Sequence, residues 1–495
     1  MRVLFVFRNA EWLGIEYLSA VLRKAGHKTE LLFDPGAGDI EYKLFFLKTQ
    51  KIIRKRFLQV ARQFKPDLFC FSILTNLFPW CKETMRFLKS HFPDVPIIAG
   101  GLHPTMFPDV VIDVPEIDMI CIGEGEDALL ELCDSMEDGS RRKDIMNIWF
   151  KEDGKVIKNP LRPLRQNLDE LPFPDKDLFY RYGCFRGRIY VMTGRGCPYS
   201  CSYCFNHSYR QLYKDAGKYV RQRSVDNCIE ELIYYKSKYK IDEIFFYDDT
   251  FTLNHGWVKQ FCDKYRSRIN LPFALNVRAN TVTKKIAEAL KNAGCYYVVM
   301  GVESGDEYIR NKVMKRNLTD EVILQAAEYV HSEGIKLSTL NVVGVPGETP
   351  AQMWRTVELN WRLRPDGGSM ASTFYPFPKT ELYDLAINMG YLDKEGIEKV
   401  NNGEGSYRAD TILKHPYGKT IKKVVTFEPI MVRIPKIFHP LFKKLPPVLL
   451  LRLFSILFYT PLRHLGYRVK EFILMQYCSI YKELPQVEQA GRSEK

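Results

Sequence analysis

The sequence predicts an α/β protein with two parallel-sheet units in series, followed by a mostly helical C-terminal domain. Three observations carry this. Short apolar, β-rich runs alternate with helix-period segments through residues 1–150, a proline-rich break follows, and a second alternation of strand and helix patterns starts near residue 188. The length of 495 residues fits about three domains. A composition of 46% hydrophobic and 26% charged residues excludes a mostly disordered chain, and the length excludes a small disulfide-stapled scaffold.

In the first unit, Val3–Phe7, Leu68–Ile73, Ile97–Ala99 and Met119–Ile122 have the look of buried parallel strands of an open, Rossmann-like sheet. Gly14–Ala25 places Ile15, Leu18, Val21 and Leu22 at helical spacing, and Tyr42–Phe64 reads as a basic amphipathic helix. Each loop after a strand faces the ligand edge of such a sheet. Lys158–Lys176 breaks both periodicities, so residues 151–187 are expected to be a linker. Arg188–Met192, Glu243–Tyr247, Phe273–Val277, Tyr297–Met300, Leu337–Val343 and Met370–Phe374 then supply six strands of a partial (β/α)6 barrel over 188–385, leaving 386–495 as the C-terminal domain. The apolar run after Met1 lacks the length and cleavage site of a secretory signal. Twelve cysteines therefore suggest a reducing compartment, the cytoplasm, with thiols used for metal or chemistry.

Cys197, Cys201 and Cys204 form a CxxxCxxC run in a glycine-containing loop directly after a predicted strand. Three thiolates in one tight loop suit an iron–sulfur cubane whose fourth iron stays open for a substrate. Zinc is the competing reading, but it usually takes four N/S ligands, and His207 is the only obvious fourth.

With Tyr203 before its third cysteine, the run resembles the radical S-adenosylmethionine (SAM) superfamily. The resemblance implies a [4Fe-4S] cluster on the three cysteines, whose open iron chelates SAM and whose electron cleaves it to a 5′-deoxyadenosyl radical. It continues downstream in this chain. Asp248 and Asp249 stand where the family binds the methionine amino end, and Asn276-x-Arg278-Ala279-Asn280 resembles its N-x-R-A-N segment. Glu303 and Ser304 lie in a ribose-contacting GxESG string, with Arg316 where many members place a basic residue near the SAM carboxylate. Gly344 opens a GxPGET turn beside adenine, and Tyr375–Thr380 resembles YxPxPGT with Lys379 in place of glycine.

Residues 5–25 resemble the cobalamin-binding domain that precedes many radical SAM cores. Ser72 falls on that fold's SxL motif, Gly100 and Gly101 on its glycine pair with a GGxHP continuation, and Ile122–Glu126 on its IGEGE loop. The DxHxxG motif that supplies an axial histidine elsewhere would fall on Asn9, Glu11 and Gly14, where only the glycine survives. The resemblance thus implies cobalamin bound without a histidine on cobalt; loss of cobalamin with retention of the fold is the alternative. His103, before a proline, is expected to be a turn residue rather than a ligand. Cys262, Cys295 and Cys478 lie outside any cluster-like spacing.

The last 85 residues hold 15 Lys and Arg against 5 Glu, most of the chain's net charge of +13. From Ile430 to Tyr481 cations interleave with apolar residues, including Leu449, Phe454 and Phe458. The apolar stretch is too short to span a bilayer, so peripheral membrane association, a hydrophobic substrate tunnel or a helical cap packed on the barrel are the expectations. Together the resemblances imply a cobalamin-dependent radical SAM enzyme, most simply one that methylates an unactivated carbon of a hydrophobic, lipid-like substrate, with flavodoxin or ferredoxin as external reductant. Cyclisation, ring contraction and C–C coupling are the enzymatic alternatives; a cobalamin sensor or RNA-binding protein is the other class, disfavoured by the intact cysteine triplet.

Overall fold

The computed structural model describes residues 1–36, 43–185, 187–405 and 411–444, with the backbone alone for 43–49. They divide into two compact units: one from Met1–Arg162 and Leu171–Arg186, the other from Pro163–Glu170 and the described residues from Gly187 onward.

The first unit is a seven-stranded sheet. Its strands are β1 (Arg2–Arg8), β2 (Lys28–Asp34), β3 (Leu68–Ser72), β4 (Ile97–Gly100), β5 (Met119–Cys121), β6 (Ile148–Glu152) and β7 (Lys155–Lys158), in the order β2-β1-β3-β4-β5-β6-β7. The first five are parallel, with helices Leu13–Lys24, Lys43–Phe64, Phe78–Lys89 and Glu126–Glu137 among the connections. Val3–Phe7 is buried throughout, as a strand covered on both faces requires. β2, absent from the sequence reading, pairs with β1 along all seven residues; its polar start, Lys28-Thr29-Glu30, hides a short apolar end. β6 and β7 form an antiparallel hairpin closed by Asp153-Gly154, both at positive φ, a pair that suits a tight hairpin turn.

The expected linker 151–187 thus begins inside this sheet, and its later part packs back onto the same unit. The Tyr182 hydroxyl donates to the Leu31 carbonyl at 2.6 Å, Phe179 meets Phe7 and Phe33 edge-on, and Ser19 donates to Asp175 at 2.6 Å. The Lys176 ammonium, fully buried, bridges Glu11 at 2.5 Å and Glu16 at 2.6 Å.

In the second unit, β8 (Arg188–Val191) is followed by a two-residue antiparallel bridge between β9 (Gly194–Arg195) and β10 (Arg221–Gln222). Then come β11 (Glu243–Phe246), β12 (Phe273–Val277), β13 (Cys295–Glu303), β14 (Lys336–Val343) and β15 (Gly368–Thr373). Six of these form one parallel sheet in the order β15-β14-β13-β12-β11-β8, the partial (β/α)6 arrangement the sequence predicts. Ser224, Asn254, Thr283 and Thr319 cap four of the intervening helices by accepting backbone N–H bonds.

Beyond β15 the described chain is helical. Helix Gly418–Met431 sets Ile421, Val424, Phe427 and Met431 against Val343, Met353, Val357 and Ala371, so this helix, which ends where the Ile430–Tyr481 stretch begins, is a cap on the outer face of β14 and β15. No helix among the described residues is long and apolar enough to cross a membrane. Leu449, Phe454 and Phe458, on which the membrane expectation rests, lie outside the described residues, as does Cys478.

Candidate active site

Parallel strands bring all their C-terminal ends to one edge, and in the second unit that edge collects the cysteine loop, Asp248, Asp249, Arg278 and Glu303. The loop is pinned at both ends. Gly196, at φ +87, could not be another residue, because a Cβ would lie 2.6 Å from the Tyr219 carbonyl oxygen. Ser202 donates through its amide to the Met314 carbonyl at 3.1 Å and through its hydroxyl to that of Val313 at 2.6 Å. Cys204 then precedes helix Phe205–Leu212 as its N-cap.

Burial pushes the Cys204 thiol up to about 12, with Cys201 and Cys197 adding to the rise. Burial also raises Cys197, with Asp249 and Cys201 contributing. The three thiols therefore lie within one another's field. Among the described residues no three His, Cys, Asp or Glu side chains are placed to hold a single metal ion. The donor set, three thiols in one loop with two guanidiniums beside Cys201, fits a three-cysteine cluster.

The two aspartates diverge. Asp248 accepts from the Thr193 amide at 3.1 Å and its hydroxyl at 2.8 Å, tying the end of β11 to that of β8; burial raises it to about 6. Asp249 accepts from Asn206 at 2.9 Å and faces the cysteine loop. Asn276 donates to the Asp248 carbonyl at 3.1 Å. Arg278 stacks its guanidinium 3.8 Å from the Tyr199 ring centroid, lies 3.7 Å from Cys201 Sγ and donates to the Arg316 carbonyl. Arg316 reaches Cys201 Sγ at 3.9 Å, the Tyr203 hydroxyl at 3.3 Å and Glu303 at 3.7 Å, and donates to the Gly301 carbonyl. Ser304 is buried and accepts from the Asp306 amide at 3.2 Å, an internal turn. At Gly344, φ +80, the amide donates to the buried Glu348 carboxylate at 2.6 Å, and a Cβ would meet the Ile421 side chain. Lys379 adopts φ +61, keeping the left-handed backbone that glycine provides in the YxPxPGT pattern.

In the first unit, Asn9, Glu11 and Gly14 follow β1, Ser72 ends β3, and Gly100 and Gly101 close β4, so all six lie on one sheet edge. The order β2-β1-β3-β4-β5 reverses direction between β1 and β3, where open α/β sheets bind ligands. Asn9 holds φ +87 while its amide donates to the Asp34 carbonyl at 2.8 Å. Gly101, φ +98, is required by the chain itself: a Cβ would stand 3.1 Å from the Ile73 amide nitrogen and 3.2 Å from Ser72 Oγ. His103 is buried between the rings of Phe78 and Phe107, a packing position. Since Glu11 carries no imidazole and is engaged by Lys176, this edge fits a corrinoid that takes no axial nitrogen from position 11.

Two family models match the chain, the Radical SAM superfamily over residues 191–359 and the B12 binding domain over residues 6–133. An uncharacterized methyltransferase of Pyrococcus horikoshii is 31% identical over 381 residues, covering 76% of this chain and 78% of its own. The chain belongs to the radical SAM enzymes that carry a B12 binding domain. More distant relatives are the anaerobic magnesium-protoporphyrin IX monomethyl ester cyclase of Rubrivivax gelatinosus (24% identical; 77% of this chain, 69% of its own) and the hopanoid C-3 methylase of Methylococcus capsulatus (26%; 69% and 62%). The radical SAM methyltransferase TsrM of Kitasatospora setae, solved with cobalamin and a [4Fe-4S] cluster, shares the fold at a TM-score of 0.66 and 17% identity, over 88% of this chain and 92% of that one. The expected cofactor set of cluster, SAM and cobalamin is thus the family's own.

In this radical SAM enzyme the inner face of the barrel sheet is open and mixed, an exposed apolar set lying among the polar positions Asn276, Ser338 and Lys336. Register places Tyr190, Phe245, Ala274 and Tyr297 in one row and Gly301, Leu340 and Met370 in a row nearer the cysteine loop. Tyr190, Phe245 and Tyr247 contact one another at centroid distances of 5.5–5.9 Å. Tyr247, Leu340 and Met370 remain 51%, 36% and 42% exposed, while the alternate residues Phe246, Thr339 and Ala371 are buried on the helix side. Sequence reasoning missed these inward residues and also Thr193, Asn206, Tyr199 and the fully buried Arg310, which donates to the Ser304 and Leu318 carbonyls and braces the turn bearing Arg316. The strand alternation at Phe245/Tyr247 and Leu340/Val342 is the signal that could have found the inner face.

Proposed function

We propose that this enzyme methylates an unactivated carbon of a hydrophobic, lipid-like substrate held on the inner face of the barrel sheet, with an external low-potential donor such as flavodoxin or ferredoxin supplying electrons. The apolar set formed by Tyr190, Phe245, Tyr247, Leu340 and Met370 carries the substrate class. Rings and a thioether with no charge among them favour apolar ligand surface, at roughly 25 cal/mol per Å² removed from water. Bound cluster and SAM supply the hydrogen-abstracting radical, and the corrinoid supplies the methyl group. The chain's own part is to orient and to exclude water: Cys197, Cys201 and Cys204 hold the cluster, Asp249 is left facing SAM's amino end because Asp248 is committed to Thr193, and Glu303 offers a ribose acceptor. The relatedness to the hopanoid C-3 methylase supports a lipid; the cyclase relatives make ring closure the competing outcome.

The test is anaerobic reconstitution with iron, sulfide, cobalamin, SAM and reductant, followed by mass spectrometry on a lipid extract. Products heavier by one CH2 and stoichiometric 5′-deoxyadenosine are expected, both lost when the three cysteines become alanine. Leu340→Asp is expected to abolish product while leaving uncoupled 5′-deoxyadenosine. Products lighter by two hydrogens, without methyl gain, would replace methylation by cyclisation.

A further inference from the structure

The three cysteines differ in their neighbours. Cys201, buried, has two guanidinium nitrogens against its sulfur, Arg278 Nη1 at 3.7 Å and Arg316 Nη1 at 3.9 Å. Neither arginine is loosely held. Arg278 is fixed by the Tyr199 ring at 3.8 Å, by Asn280 Oδ1 at 3.0 Å and by the Arg316 carbonyl. Arg316 is fixed by the Gly301 carbonyl, by the Tyr203 hydroxyl at 3.3 Å and by Glu303 at 3.7 Å. The turn that carries Arg316 is itself braced by buried Arg310.

Hydrogen bonds to a thiolate ligand and nearby positive charge withdraw electron density from the Fe–S bond and favour the more negative, reduced cluster. A guanidinium is suited to this, being permanently charged and weakly hydrated. We infer that Arg278 and Arg316 act as positioning residues on Cys201, raising the cluster's reduction potential so that a physiological one-electron donor can convert [4Fe-4S]²⁺ to [4Fe-4S]⁺. This assigns the pair a role on the cluster sulfur beyond the SAM contacts that the family resemblance implies. It rests on the reading that residues 197–204 hold the cluster.

The experiment is a mediated dithionite titration of the reconstituted full-length protein, with the reduced cluster followed by electron paramagnetic resonance and SAM affinity measured separately by equilibrium dialysis. Arg278→Gln and Arg316→Gln are each expected to disfavour reduction by about tenfold, which is about 59 mV to lower potential for a one-electron couple. Arg278→Lys and Arg316→Lys, which keep the charge, are expected to recover part of that shift. Should a glutamine variant fail to retain iron, the lysine variant is titrated in its place and shifts in the same direction by less. Unchanged potentials in variants that hold the cluster, with SAM affinity lowered, overturn the inference and leave both arginines with SAM alone. Failure of the parent protein to bind any cluster overturns the functional reading instead, so the two failures are distinguishable.

Discussion

Glu348 shows how one buried carboxyl is used. It closes the turn after β14 by accepting from the amides of Gly344 at 2.6 Å and Val345 at 3.3 Å, yet burial outweighs these donors and pushes it up to about 8 from an ordinary 4.5. Between those values the folded chain holds a proton that the unfolded chain has released. Its contribution to stability is therefore present below about pH 4.5, declines as pH rises towards 8 and is flat above that. Glu348→Gln keeps an acceptor for the two amides and removes the titration. The parent's melting temperature is expected to fall more steeply from pH 5 to pH 8 than the variant's; parallel curves would refute this. The same residue bears on what was legible. GxPGET identified the turn, and Gly344 does need its positive φ, but what the sequence could not show is that Ile421, from the C-terminal helix, packs where its side chain would be.

Among elements, segment 171–186 departs most from expectation. Its prolines, Pro172 and Pro174, read as a linker, whereas in the structure it straps β1, β2 and helix Leu13–Lys24 together. Lys176 looks like a surface charge because its two partners lie 165 and 160 positions away, beyond any local pattern. Strands and the cysteine loop were legible because short apolar runs and a three-cysteine spacing are local; ion pairs between distant segments and the short strand β2 were not. Removing one member of a buried ionic group leaves uncompensated charge, so Lys176→Met is expected to cost about 3–5 kcal/mol in the first unit. Replacing Glu11 and Glu16 by glutamine in the same variant is expected to restore much of that loss. Chemical denaturation followed by circular dichroism measures both, and a Lys176→Met protein as stable as the parent would contradict the ion-pair account.

At the scale of the whole molecule, sequence pattern placed the two sheets and their order but drew the first boundary at residue 150, ahead of the hairpin strand β7 and the strap. The division into units at residues 162 and 171–186 leads to a plain expectation. A fragment of residues 1–186 folds and binds a corrinoid, followed by its visible absorption, whereas 1–150 is unstable; equal binding by both would show that the strap is dispensable. There is also a consequence in time. During synthesis the chain makes β1 and helix Leu13–Lys24 early, placing Glu11 and Glu16 in an unfinished unit, whereas their counter-charge is Lys176. At ~5–20 residues per second the ribosome needs ~2–7 s to pass from residue 150 to 186. For that interval the nascent first unit carries two acidic side chains with no cation to meet them. Slowing or stalling translation between these positions should therefore leave a species open to proteases and chaperones that the finished chain no longer presents.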